Sequence, residues 1–126
     1  MNYLLEDFEK AINRLEEVLE KPKTAIHRDS AIKRFELCFD LAWKAIKNLA
    51  KEQGLECYSP RNCLQIGFQL KLINQPGAWL ALLGDRNLTV HLYDEKQADE
   101  VYAKLPQHRE MFKALLRALR QGWLET

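Results

Sequence analysis

Ser30-Ala31-Ile32-Lys33-Arg34-Phe35-Glu36-Leu37-Cys38-Phe39-Asp40-Leu41-Ala42-Trp43-Lys44-Ala45-Ile46-Lys47-Asn48-Leu49-Ala50 decides the fold of this chain. Its apolar residues, Ile32, Phe35, Phe39, Ala42, Trp43, Ile46, Leu49 and Ala50, recur at steps of three and four, which puts them on one face of a helix. Asp29 or Ser30 can cap its start, and Gly54 is a natural stop beyond its end. The opposite face is a polar stripe of Lys33, Glu36, Asp40, Lys44, Lys47 and Lys51. Glu36/Asp40 and Asp40/Lys44 are neighbours at a four-residue step. That stripe reads either as a solvated surface or as a groove, with Lys44 among its residues, in which Glu36 and Asp40 sit beside the arginine and histidine of a later segment, Arg86 and His91.

The same period runs through the rest of the chain. Leu4, Phe8, Ala11, Ile12, Leu15, Val18 and Leu19 mark a first helix that ends at Lys21-Pro22-Lys23, because proline cannot continue the ladder. Ser59-Pro60 opens a third helix as cap and first-turn proline, carrying Leu64, Phe68 and Ile73 with Ile66, Leu70 and Leu72 beside them. Gly67 within it marks either a close crossing or a cost of about 1 kcal/mol relative to alanine. After the turn Asn74-Gln75-Pro76-Gly77, a fourth helix runs through Trp79, Leu80, Leu82 and Leu83. Asp94 with Gln97 can form a capping box for a following helix. Pro106 is expected to restart a last helix with the stripe Phe112, Leu115, Leu116, Leu119 and Trp123. The expectation is all-α: one domain over residues 1–126, an antiparallel up-and-down four-helix bundle with one or two additional short helices.

Composition excludes several classes. The net charge is +1, so there is no global field for nucleic acid, and any such contact would rest on local cations such as Arg86, Lys44 or Lys47. No stretch is apolar enough to span a bilayer, and the N-terminus lacks the pattern of a secretory signal. A cytoplasmic protein without membrane association is expected. The three cysteines, Cys38, Cys57 and Cys63, fit a reducing compartment as small buried hydrophobes, and that reading disfavours a Cys57–Cys63 bridge. Their spacing is not that of a zinc site, and neither a metal nor a cofactor is expected.

The chemistry is concentrated in Asp85-Arg86-Asn87-Leu88-Thr89-Val90-His91-Leu92-Tyr93-Asp94-Glu95. Arginine offers phosphate a fixed fork of donors, and histidine moves protons near neutral pH. Together they suggest phosphodiester chemistry without a metal. On one regular helix, however, a five-residue separation turns Arg86 and His91 about 140° apart. Either the helix ends between them or groups from two protomers combine. The Asp94 cap argues for a helix end near 90–93, beside whose carbonyls a protonated imidazole is favourably placed. Protonated, His91 is an acid; neutral, it is a base; cleavage of RNA through its 2′-hydroxyl requires both roles. Asn87 can orient His91 or bond a phosphate oxygen. In an extended chain Tyr93 projects to the same side as His91, and it can stack on a base or accept a transferred group. The plain alternative is an arginine paired with a nearby carboxylate, Asp85, Asp94 or Glu95, and a histidine that is merely structural.

The run from Arg86 to Tyr93 resembles the arginine, four residues, histidine, one residue, tyrosine signature of HepT-type HEPN proteins, partners of minimal nucleotidyltransferases. The run from Arg34 to Lys47 is similar to that family's long helix, and Ser59-Pro60-Arg61 and Trp79 fall where it would have them. The resemblance implies a homodimeric helical bundle that brings two motifs to one cleft. It also implies a complex with a minimal nucleotidyltransferase in a toxin–antitoxin pair. In that picture the chain is a metal-independent endoribonuclease acting on RNA. Arg86 holds the scissile phosphate, His91 is the acid or base, Asn87 positions the histidine or the phosphate, and Tyr93 is the site at which added AMP silences the enzyme. The alternative is a non-catalytic subunit that binds the substrate, an RNA or a nucleotide, for a two-component nucleotidyltransferase.

Overall fold

The computed structural model describes residues 2–91 and 94–124, with backbone alone for 123 and 124. Five helices make up the described residues: α1 (Tyr3–Leu19), α2 (Ala25–Glu52), α3 (Pro60–Gln69), α4 (Pro76–Thr89) and α5 (Glu95–Leu124). Cross-helix pairs fix their directions. Glu16 meets Lys113 and Glu9 meets Arg120, so α1 and α5 are antiparallel. Arg28 meets Asp99 and Phe35 stacks on His108, so α2 and α5 run the same way. Asp85 meets Lys104 and Trp79 meets Phe112, so α4 opposes α5. The long helices therefore run up, down, up, down as α1, α2, α4 and α5, with α3 as the short extra element.

Phe112 of α5 joins the layers of the core. Its ring lies 6.0 Å from Phe8 of α1, 6.0 Å from Phe35 of α2 and 5.9 Å from Trp79 of α4. All four side chains are buried. Burial of such rings is the main stabilising term of a bundle of this size.

The ends of the helices obey local chemistry. Thr24 Oγ1 accepts from the His27 amide at 3.0 Å, so α2 starts a turn before the expected cap at Asp29 or Ser30. Asp29 instead takes the Nε–H of Arg28 at 3.0 Å. At the other end Gly54 has φ of 78°, and Leu55 N–H returns to Ala50 C=O at 2.8 Å, closing a Schellman turn. α3 closes in the same way one residue past Leu70, with Lys71 at φ 63° and Leu72 N–H bonded to Gly67 C=O at 2.8 Å. It thus stops at Gln69, leaving Leu72 and Ile73 buried beyond it, while Phe68 is exposed. Gly67 sits at a close crossing, where an added Cβ would lie 3.4 Å from Ile46.

Two further expectations are corrected. Pro106 does not restart a helix; α5 runs unbroken through it for 30 residues. The proline forfeits one backbone bond, and the buried Val101, Leu105, His108 and Phe112 hold both flanking turns against the core. Cys57 and Cys63 are joined in a disulfide with Cα atoms 5.0 Å apart, tying the loop before α3 to its first turn. The extended Ser59-Pro60 start folds that loop back over the helix, which brings the two cysteines into reach. Cys38 alone is a free, buried thiol.

Candidate functional site

The motif occupies the end of α4 and the connection to α5. α4 stops at Thr89, between Arg86 and His91, one of the two ways out of the angular problem and within a residue of the end that the Asp94 cap argued for. Thr89 Oγ1 donates to the Arg86 carbonyl at 2.6 Å and the His91 amide to the Leu88 carbonyl at 2.8 Å, satisfying two of the carbonyls left open at a helix end. His91 is exposed just past that end. Tyr93, the expected modification target, lies outside the described residues, as does the Trp123 side chain.

Arg86 is held from three sides. Its Nη2 donates to Asp40 Oδ1 on α2 at 3.0 Å, its Nη1 donates to Asn87 Oδ1 at 3.4 Å, and its guanidinium lies 5.6 Å from the centre of the Phe39 ring. The partner of Arg86 is therefore Asp40, 46 positions away, and not Asp85, Asp94 or Glu95. The side chains of both members are about a third exposed, 32% and 39%, so the guanidinium keeps an open edge to solvent. A guanidinium has five donors, and two are used among the described residues.

The polar stripe of α2 divides along its length. Asp40 joins the motif. Glu36, one turn earlier, pairs with Lys33 at 3.6 Å, and Lys44, one turn later, is exposed. Asn87 is exposed beside Arg86.

The far side of the motif loop is anchored as firmly. Asp94 Oδ1 accepts from the Gln97 amide at 2.7 Å and starts α5. Arg28, buried at 6% exposure, reaches Asp29, Asp99 and Glu95, so α2 grips the first turns of α5. The hydrogen bonds that Arg28 donates to Asp29 and then to Asp99 push its guanidinium pKa up, and those that Asp99 accepts from Lys23 and then Arg28 hold its carboxyl below the ordinary value.

Sequence reasoning missed one cluster. Asp85 is buried and points to α5, where Lys104 Nζ reaches its Oδ1 at 3.1 Å and His108 Nε2 its Oδ2 at 2.7 Å. The available signal was period: position 108 falls within the buried stripe of Val101, Leu105, Phe112 and Leu115, where a histidine is out of place.

Among the described residues, no helix is long and apolar enough to cross a membrane. A cavity of about 440 Å³ between α3 and α4 is lined by residues including Arg61, Phe68, Ile73 and Leu80, none of which belongs to the motif.

Residues 3–121 match the family described as nucleotidyltransferase substrate binding protein like. A Haemophilus influenzae protein named "Probable ribonuclease HepT" is 29% identical over 96 residues, covering 72% of this chain and 66% of that protein, just under two thirds of its length. A crystal structure of a Thermus thermophilus protein superposes with a TM-score of 0.83 at 33% identity, covering 90% of this chain and 98% of that one. The tri-AMPylated Shewanella oneidensis HEPN toxin, solved in complex with its MNT antitoxin, superposes with a TM-score of 0.79 over 96% of this chain and 99% of that one. At 22% identity that likeness is one of fold. The chain thus belongs to the HepT-like nucleotidyltransferase substrate-binding family.

Proposed function

We propose that this chain is the toxin partner of a minimal nucleotidyltransferase in a toxin–antitoxin pair and acts as a metal-independent endoribonuclease. The observation that carries the reading is the end of α4 between Arg86 and His91, with Arg86 oriented by Asp40. With α4 ended before His91, one unbroken helix does not hold the two groups apart. In the reaction the base takes the proton of the RNA 2′-hydroxyl, whose oxygen attacks the adjacent phosphorus. The acid returns a proton to the departing 5′-oxygen. Arg86 neutralises the charge that builds on the phosphoryl oxygens. His91 fills one of the proton-transfer roles, and Asn87 supplies a further polar contact to Arg86 or the phosphate. A homodimer that brings two motifs to one cleft supplies the second role from the partner protomer.

Silencing is placed at the same sequence motif. The phenol oxygen of Tyr93 displaces pyrophosphate from ATP on the nucleotidyltransferase and acquires AMP. The added phosphate sits two residues from His91, where its negative charge and bulk oppose entry of the RNA phosphate.

The near-neutral charge of +1 favours a second reading, in which the chain binds RNA or a nucleotide for the nucleotidyltransferase without cleaving it. One experiment separates them. Purified protein is incubated with RNA and EDTA beside a His91→Ala variant. Cleavage by the wild type that the variant loses supports the ribonuclease. Equal cleavage by both, or by neither, removes it and leaves the binding role. Mass spectrometry after incubation with ATP and the nucleotidyltransferase is expected to find AMP on Tyr93, and modification at Tyr3, Tyr58 or Tyr102 instead would count against that assignment.

A further inference from the structure

Asp85 and Arg86 are consecutive residues of α4 but face different helices. Arg86 is held by Asp40 and Phe39 of α2, whereas Asp85 is held by Lys104 and His108 of α5. Two aromatics of α2 flank these pairs. His108 stacks on Phe35 with ring centres 5.5 Å apart and planes 23° from parallel, and Phe39, one turn further along α2, lies beneath Arg86. Both pairs of α4 thus lie against neighbouring turns of α2, Asp85 by way of His108 and Phe35 and Arg86 by way of Phe39.

We propose that the Asp85–His108 pair is the positioning element of the arginine–histidine motif. It fixes the rotation of the last turn of α4 so that Arg86 meets Asp40 and the helix ends on the correct side for His91. The sense of this positioning rests on the ribonuclease reading given above. Two observations and one general principle argue that the pair acts through direction as well as through filling space. Both carboxylate oxygens of Asp85 are engaged, so the side chain has one orientation. His108 Nδ1 is buried with no hydrogen-bond partner among the described residues, whereas Nε2 lies 2.7 Å from Asp85 Oδ2, so of the two neutral tautomers the one with its proton on Nε2 points at the carboxylate. With the proton on Nδ1, a buried donor would be orphaned and the contact to the carboxylate would lose its hydrogen. Finally, a buried polar pair is a poorer stabiliser than apolar side chains of similar volume, and its best-attested use is to select one arrangement among several.

The test separates position from packing. The double variant Asp85→Leu/His108→Leu replaces the pair by apolar side chains, Asp85→Ala removes the carboxylate alone, and Asp85→Asn keeps an acceptor for His108. Each is followed by thermal melting, by the Arg86 Nε–Hε cross-peak in a ¹H–¹⁵N spectrum, and by steady-state cleavage of RNA. In the folded double and Ala variants, we expect the Arg86 cross-peak to shift or broaden. There kcat should fall about tenfold or more while KM changes less than about threefold. Asp85→Asn restores both signals toward wild type. If the variants fold and leave the Arg86 cross-peak and kcat unchanged, the proposal is wrong. It is equally wrong if the double and Ala variants both fail to fold, because the pair is then a structural element and no more. Should the wild type not cleave RNA, the ribonuclease reading fails on its own, and the Arg86 cross-peak still decides whether Asp85 positions the arginine.

Discussion

The Arg86 guanidinium of α4 donates to the Asp40 carboxylate of α2 at 3.0 Å across 46 residues of sequence. The pair is too exposed to stabilise the fold much, since such ion pairs contribute about 0–1 kcal/mol. Its effect is to orient the arginine. Asp40→Ala is therefore predicted to change unfolding free energy by less than about 1 kcal/mol and to lower RNA cleavage about tenfold or more. Asp40→Asn, which keeps the oxygen acceptor, should retain most of the activity. Chemical denaturation and cleavage assays on the two variants check this. A large loss of stability in Asp40→Ala would make the pair a structural clamp instead.

Phe112 offers the contrasting case. Its ring touches aromatic residues of α1, α2 and α4 and is fully buried. Phe112→Ala should destabilise the chain by about 3–5 kcal/mol, with the cavity as well as the lost transfer energy contributing. Denaturant unfolding measures it. A cost below about 1 kcal/mol would mean that the core collapses around position 112 and that the ring does not organise it.

The helices were legible because their apolar residues repeat at helical spacing, and the ends at Pro60, Pro76 and Gly54 were legible because each is a local backbone rule. The end of α4 between Arg86 and His91 was reached from the angle between them together with the Asp94 cap. What was hidden is non-local. The groove reading set Glu36 and Asp40 together beside the arginine, but only the packing of α2 against α4 selects Asp40 as its partner and leaves Glu36 to Lys33. Asp85 was read as a neighbour of Arg86, yet a turn of about 100° along the helix sends it to α5. Pro106 misled because tertiary packing outweighs one lost backbone bond. The end of α3 at Gln69 was missed for a related reason: αL is disfavoured for lysine, but the Schellman closure at Lys71 and the burial of Leu72 hold it there.

Acid is predicted to loosen the bundle through particular carboxylates. Hydrogen bonds to Lys23 and then to Arg28 hold the Asp99 pKa below its ordinary value, and Lys113 does the same for Glu16. A carboxylate whose pKa is lowered on folding contributes stability above its unfolded pKa, about 4, and loses it as pH falls through the lower folded value. Stability should thus be insensitive to these groups near neutrality and drop below about pH 4. Asp99→Asn should cost stability at about pH 7, since it leaves the buried Arg28 with one partner fewer. The gap between variant and wild type should narrow as pH falls. A gap that stays constant down to about pH 2 would show that Asp99 does not stabilise as a charge.

The cysteines can be counted in solution. Burial pushes the Cys38 thiol pKa up to about 12, so the reactive thiolate is scarce at about pH 8 and the sulfur is shielded as well. Cys57 and Cys63 are unavailable while bridged. A thiol reagent should find no reactive group in the native, unreduced protein, one after denaturation, and all three after denaturation with reductant. Loss of the bridge should also lower stability, because closing so short a loop is worth about 2 kcal/mol in chain entropy. The Cys57→Ser/Cys63→Ser variant is expected to melt lower than the oxidised wild type and near the reduced one. Three reactive thiols in denatured protein that has never met reductant would show the pair to be unbridged in solution, and the loop before α3 would then be held by the Ser59 cap and the packing of Cys57 and Cys63 alone.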